Sequence, residues 1–311
     1  MRPQFSIIFF TTLAGMAQGL LLGLILLKIF DAFLHGDFVI QLGLPVAFFL
    51  LCLGLFASFF HLGHPEKAWR AVMMWRTSWL SREVIALPLL MTIVMVIYFT
   101  TSWMEVPLWL WFVLLLANLF LWLCTAKIYQ SIQFIQEWSH PSTLLNFILL
   151  GITSGWILME ILILLSNNLP QKIPFSIFST LALLFLSLAC LLKLWTWKRN
   201  KGLKPKSNLA SATGIKGNNI RQISMGFMGG SFNTREFFHH QSTYFIQNIR
   251  NIVLVCAYLL PFILIVISFF LLPTMMLVLS LCIHYGGLIA ERWLFFAEAN
   301  HPQNLYYQRV A

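Results

Sequence analysis

The sequence predicts an all-α polytopic membrane protein with eight transmembrane helices, and three observations predict it. Hydrophobic residues make up 59% of the 311 and charged residues only 10%, against roughly 45–50% and about 25% in soluble domains. The apolar residues gather in eight runs, each close to the roughly 20 residues that cross a bilayer as a helix. The charged residues fall almost wholly between those runs or at their ends. We expect one integral membrane domain over 1–311, with spans at about 6–30, 39–60, 84–101, 107–127, 142–165, 174–195, 251–272 and 274–296.

The first run follows Arg2 directly and is too long for a signal-peptide core, so it reads as a retained span. Pro107, Pro141 and Pro174 stand near the starts of runs four, five and six, where a missing N–H costs little. Pro88 and Pro261 lie inside spans and are expected to kink them. Pro273 separates runs seven and eight with almost no loop, which predicts an antiparallel hairpin. The loop at about 196–250 is the one sizeable extramembrane segment. Its first half, KRNKGLKPKSNLASATGIKGNN, is basic and rich in Gly, Ser and Asn, a linker composition. Its second half, ISMGFMGGSFNTREFFHHQSTYFIQNIR, alternates aromatic with basic and polar groups. That half reads either as a segment lying on lipid headgroups or as a docking surface for a soluble subunit. No internal repeat is visible.

An even number of spans places both termini on one face, together with the loops after spans two, four and six. That face carries 18 of the 20 Lys and Arg residues, and the other has only Lys28 and Lys172. By the positive-inside rule both termini are expected in the cytoplasm. The net charge of +10 therefore reports topology and contacts with lipid or partner subunits, not nucleic acid. All five cysteines fall inside apolar runs and no CxxC occurs, so neither a zinc site nor a cysteine-ligated cluster has its usual spacing. Phosphate-binding glycine loops, HExxH and nucleophile-elbow signatures are absent as well.

An ionisable group in a membrane span is costly, and so a functional candidate. Such groups collect at one edge: His61 and His64 close span two, Arg82 and Glu83 open span three, Lys127 and Tyr129 close span four, and Glu291 and Arg292 lie near the end of span eight. A quinol must lose two protons and two electrons, so its ring needs a proton acceptor and hydrogen-bond partners for both oxygens. Histidine and glutamate at a membrane surface suit that role, because modest shifts bring them into the working pH range. His61 is the first candidate, at the end of an apolar helix stopped by Gly63 and Pro65; the competing reading is an interfacial histidine that ends the span. Glu83 is either a proton relay or an ion-pair partner of Arg82, Arg76 or Arg70. In span eight, His284, Leu288 and Glu291 share a face with Gly287, which suits helix packing or the approach of a ring. Gln18, Asn118 and Asn146 read as interhelical hydrogen bonds, and Glu160 lies toward the opposite face. Bis-histidine haem needs two histidines at matching depth. His284 alone sits well inside a span, and His61 and His35 lie at opposite interfaces, so we expect no haem and no metal in this chain.

These residues resemble a known family. His61–Leu62–Gly63–His64–Pro65 with Ala68, then Ser78–Trp79–Leu80–Ser81–Arg82–Glu83–Val84, then Lys127–Ile128–Tyr129–Gln130–Ser131–Ile132, and finally Gly286 to Arg292, resemble the membrane anchor subunit of bacterial dimethyl sulfoxide reductase. The resemblance implies an anchor in the bacterial inner membrane that binds and oxidises menaquinol or ubiquinol in anaerobic respiration. It implies partners too: an iron–sulfur electron-transfer subunit that takes the electrons and a molybdopterin catalytic subunit. The family's quinol histidine and glutamate map onto His61 and Glu83, with Arg82, Tyr129, Glu291 and Arg292 as further quinol-binding candidates. The basic loop after span six and the tail Phe295–Ala311 look longer than in the best-known members, which leaves the terminal substrate open. A polysulfide- or nitrite-reductase-type quinol anchor with proton coupling is the alternative. A secondary transporter fits less well, since its polar groups would sit at the midplane.

Overall fold

The computed structural model describes residues 1–29, 36–165, 176–217, 219–221, 223 and 239–302. His35, Lys172, Arg235 and the tail beyond 302 lie outside the described residues, as does most of the aromatic half of the long loop. Among the described residues eight helices are long and apolar enough to cross a membrane, as the sequence predicts: α1 (Phe5–Ile29), α2 (Gly36–Phe59), α3 (Trp79–Thr101), α4 (Leu108–Gln130), α5 (Pro141–Leu165), α6 (Ser176–Lys201), α7 (Thr243–Ser268) and α8 (Pro273–Ala297). A 3₁₀ segment, Pro65–Met74, lies between α2 and α3, and one turn of helix, Leu209–Thr213, follows α6. Among the described residues no strand occurs.

Three boundaries correct the expected ones. Span three starts at Trp79 and not near 84, because Ser78 caps the helix by accepting a hydrogen bond from the Ser81 N–H. Span six runs on to Lys201, so the loop begins after 201 and not at 196. Span seven begins at Thr243 and not at 251, its first turns being amphipathic instead of apolar and capped by the Ser242 hydroxyl.

Helices α1 and α5 form the centre of the bundle. About 78% and 72% of their spanning stretches are buried, against 44% or less in the others. Between two apolar helices in lipid there is little hydrophobic driving force, so close backbone approach and van der Waals packing carry the association. Gly19 of α1 and Gly155 of α5 supply that approach: a Cβ on Gly19 would fall 1.9 Å from the Gly151 carbonyl oxygen, and one on Gly155 would fall 2.2 Å from the Leu20 nitrogen. A polar lock joins α1 to α4, as expected of Gln18 and Asn118. The Gln18 amide donates to the Asn118 carbonyl at 2.9 Å and the Asn118 amide returns the bond to the Gln18 carbonyl at 3.0 Å. One apolar core gathers α1–α4, including Leu20, Leu44, Leu90 and Leu114; a second gathers α5–α8, including Leu186, Ala257, Ile265 and Leu277.

The last two helices form the predicted hairpin, joined by Phe269–Leu272. Leu272 takes φ +39°, in the left-handed region, immediately before Pro273. Within α7, Val253–Leu259 is π-helical. Pro261 has no N–H to give the Ala257 carbonyl four residues back. His284 of α8 takes over, its Nδ1–H donating to the Ala257 oxygen at 2.7 Å. Gly287 permits the contact, since a Cβ there would lie 2.3 Å from the Ala257 nitrogen. Helix packing is thus what this face of α8 provides at His284 and Gly287.

Candidate functional site

The candidate groups gather at the end of the bundle that holds the N-terminus. There the Met1 amine donates to the carbonyls of Ala297 and Ala299, at 3.3 and 3.1 Å, beyond the last turn of α8. The α2–α3 connection, the α4–α5 connection and the C-terminal end of α6 share this end. Antiparallel threading therefore brings residues far apart in sequence into one layer.

Glu83 sits a little over one turn into α3 and is 6% exposed. Its carboxylate accepts a hydrogen bond from the Thr125 hydroxyl of α4. The ion pairs open to it from sequence, with Arg82, Arg76 or Arg70, do not form. Arg82 turns outward: its Nε donates to the Trp75 carbonyl at 2.9 Å, its Nη2 to the Arg76 carbonyl at 2.8 Å, and its guanidinium lies 4.2 Å from the Trp79 ring centroid. It fastens the end of the α2–α3 connection to α3. His61 lies in the turn after α2, exposed and with no side-chain hydrogen bond among the described residues, and the structure does not bond it to Glu83. Apolar surroundings push its imidazole below the ordinary histidine pKa of 6.5. His64 is farther out and pairs with Glu66 at 2.9 Å, both exposed.

Tyr129, at the last turn of α4, is enclosed by rings. It stacks on Phe147 at 5.7 Å and meets Trp138, Phe295 and Phe296 edge-on at 5.4–5.6 Å. It lies within electrostatic reach of both Glu83 and Arg292, so it stands between two polar clusters.

The second cluster is centred on Glu291, which is 0% exposed. Lys193 of α6 donates to Oε1 at 2.6 Å and the Asn146 amide of α5 donates to the same oxygen at 2.9 Å. Arg292 Nε lies 3.3 Å from Oε2, an ionic contact, and its guanidinium rests 3.7 Å from the centroid of the Phe147 ring. Two cations and one anion are held here with at most 4% side-chain exposure. Burial of that kind is tolerated only where charges compensate and hydrogen bonds are made. Several polar atoms around it keep unspent capacity: among the described residues, Asn146 Oδ1, Glu291 Oε2, Arg292 Nη1 and the Tyr258 hydroxyl are buried without a hydrogen-bond partner. Tyr258, on the π-helical stretch of α7, is in electrostatic reach of Glu291 and Arg292.

Two hollows lead toward this cluster. A cleft of about 340 Å³ opens between the ends of α6, α7 and α8, lined among others by Glu137, Trp197, Lys201, Arg250 and Glu298. Arg250 and Glu298 pair across it at 2.7 Å. A crevice of about 20 Å³ continues inward past Ser142, Thr143, Asn146 and Thr196 to Lys193. Glu160 stands apart near the far end of α5, buried and hydrogen-bonded by the Ser179 hydroxyl. Among the described residues, no three of His, Cys, Asp and Glu come together in a way that would hold a metal ion.

Of the sequence candidates, the structure brings the buried Glu83, Glu291 and Arg292 and the partly buried Tyr129 into one layer and leaves His61 and Arg82 at its outer edge. Sequence reasoning missed Thr125, Phe147, Lys193 and Tyr258, and read Asn146 only as a hydrogen-bonding group. For Lys193 a signal existed: it lies within the run LALLFLSLACLLKLWTW, with Leu on either side and Trp195 and Trp197 just after it.

Residues 1–297 match the family described as DMSO reductase anchor subunit (DmsC). Over 330 aligned positions the chain is 40% identical to a sulfite dehydrogenase subunit of Allochromatium vinosum, with 100% of both chains covered. The match spans all eight helices and every candidate residue above, and the chain belongs to the DMSO reductase anchor subunit family.

Proposed function

We propose that this chain is the quinol-reactive membrane anchor of a molybdopterin oxidoreductase complex. It binds menaquinol or ubiquinol at the N-terminal end of the bundle and exchanges its electrons with an iron–sulfur subunit docked there. The terminal chemistry takes place in a molybdopterin subunit. The observation that carries this reading is the buried layer Glu83–Tyr129–Arg292–Glu291. It combines an uncompensated carboxyl group, an aromatic wall and unspent hydrogen-bonding atoms at one membrane edge.

Those features fit a quinone ring. Its flat face needs aromatic or aliphatic walls, and its two oxygens need a donor or acceptor each. Tyr129 and Phe147 supply walls, Arg292 and Tyr258 supply donors, and Glu83 supplies the acceptor for a hydroxyl proton. When quinol binds, it brings the two-electron, two-proton chemistry. The chain's own residues orient it, exclude bulk water and carry its protons. Glu83 takes a proton in the buried layer. His61, neutral at pH 7 because its pKa lies below 6.5, passes a proton to solvent from the membrane edge. Arg82 holds the His61 side of the site by fastening the α2–α3 connection. The excess of basic residues on this face favours the cytoplasm for it.

A second reading runs the electrons the other way. A relative named as part of a sulfite dehydrogenase favours an oxidising complex in which quinone is reduced at the same site. The polysulfide- or nitrite-reductase-type alternative with proton coupling uses the same residues. Photolabelling of the purified complex with an azidoquinone tests the site itself. Crosslinks in α3, α4 and α8 near Glu83, Tyr129 and Arg292 are expected, and labelling confined to the Glu160 end would overturn the placement. Mixing the same complex with sulfite or with an S-oxide then sets the direction of electron flow.

A further inference from the structure

The crevice beside Lys193 has no role in the function proposed above, yet it is continuous with the surface. Glu137, Trp197, Asn200 and Glu298 line both the open cleft and the crevice. At about 20 Å³ the crevice is large enough for a water molecule, which needs roughly 10–15 Å³ and two or more polar partners. The hydroxyls of Ser142, Thr143 and Thr196 and the Asn146 side chain line it, and the unpartnered, buried Asn146 Oδ1 marks a further place for a hydrogen-bond donor. The inner end is the Lys193 ammonium, which shares Glu291 with Arg292.

Two cations on one carboxylate leave the trio with a net charge of +1. An arginine keeps its proton throughout the physiological range, so of the two only Lys193 can release one. After such a transfer the Arg292–Glu291 pair is left with no net formal charge. Asn146 from α5 and Tyr258 from α7 face the trio and carry no charge near neutral pH, while the carboxylates Glu137 and Glu298 line the crevice on its way to the surface.

We propose that Lys193 is a proton-transfer residue at the inner end of a water-lined crevice, through which a proton of the quinol couple passes between the buried site and the N-terminal face. This rests on the quinol reading. A quinol gives two electrons, one at a time, to the partner's iron–sulfur clusters and releases two protons. One proton goes to Glu83. The other reaches the Glu291–Lys193 pair as the Lys193 ammonium passes its own proton to crevice water and out through the cleft. Quinone reduction runs the same steps backward.

The test uses the intact purified complex. Lys193→Arg keeps the charge and the pairing with Glu291 but cannot shed a proton. It is expected to bind a quinone-analogue inhibitor as the wild type does and to oxidise quinol about a hundredfold more slowly, the low end of what a positioned acid–base group provides. Small permeant weak acids and bases such as azide or imidazole should restore much of that rate. Thr196→Leu narrows the crevice while disturbing only a hydroxyl bond within its own helix, to Leu192 at 2.8 Å. It should show the same slowing and rescue, with Thr196→Ser close to wild type. Wild-type rates in both Lys193→Arg and Thr196→Leu would overturn the route, as would a slowing that no weak acid or base relieves. A wild-type complex with no quinol turnover at all would instead remove the quinol reading, and this inference with it.

Discussion

Removing Glu291 should be far more damaging than removing Lys193, although the two side chains form one ion pair. Lys193 Nζ and Arg292 Nε approach the carboxylate at 2.6 and 3.3 Å, with side-chain exposures no higher than 4%. In Glu291→Gln the buried charge rises from +1 to +2 with no anion left. Breaking a buried pair in this way costs about 3–5 kcal/mol, because the surviving charge is uncompensated. In Lys193→Met the charge falls to zero and the Arg292–Glu291 pair remains. The loss is one charge-assisted hydrogen bond plus the cation contact over Trp197 at 5.4 Å, offset by relief of a buried ammonium, so about 2 kcal/mol or less is expected. Combining the two changes returns the site to +1 and should recover part of the Glu291→Gln loss. Denaturant unfolding of the purified chain in micelles, followed by tryptophan fluorescence, reads all three. Equal destabilisation by Lys193→Met and Glu291→Gln would refute the charge accounting, as would a Glu291→Gln protein within about 1 kcal/mol of wild type.

Further outcomes follow from the same geometry. Gly155→Ala places a Cβ 2.2 Å from the Leu20 nitrogen, so α1 and α5 must move apart; unfolding should show a loss of about 1–3 kcal/mol, typical of overpacking. Thr125→Val removes the hydrogen-bond partner of the Glu83 carboxyl and is expected to lower quinol oxidation by less than the roughly hundredfold or more that loss of a positioned acid–base group costs, while complex assembly measured by co-purification stays normal. The imidazole of His61 accepts a proton only when neutral, and its pKa is depressed below 6.5; the acidic limb of the pH–rate profile should therefore lie below pH 6.5 and disappear in His61→Gln, and a limb centred above 6.5 would contradict this.

The helices were legible because lipid allows so few alternatives. An apolar run of the right length has to be a helix once every backbone group needs an internal partner. Legibility failed where a helix leaves the apolar run. TYFIQNIRNI at the start of α7 and Trp79–Arg82 at the start of α3 are helical, but amphipathic or capped, so hydropathy places those ends too late. The same misjudgement hid Lys193. With span six expected to stop at about 195, Lys193 stands at its very end among the basic residues that set topology, whereas a helix continuing to Lys201 puts it two turns inside. Glu83, Tyr129, Glu291 and Arg292 could be named because a charge or a phenol at a span end stands out. Their partners Thr125, Phe147 and Tyr258 could not, since a hydroxyl or ring in an apolar run is ordinary until the packing of helices shows what it faces. Arg82 shows the converse, a conspicuous charge that the fold commits to two backbone carbonyls.

The most direct measurement of the central claim is quinol-driven reduction of the partner's iron–sulfur clusters in the intact complex, compared between wild type and Glu83→Gln. Followed by absorbance in a rapid-mixing instrument, wild-type clusters should reduce on adding quinol. The Glu83→Gln complex should assemble and reduce fully with dithionite, yet respond to quinol at least about a hundredfold more slowly, as expected when a positioned proton acceptor is lost. Reduction of the Glu83→Gln clusters by quinol at the wild-type rate would contradict the placement of quinol chemistry in this buried layer.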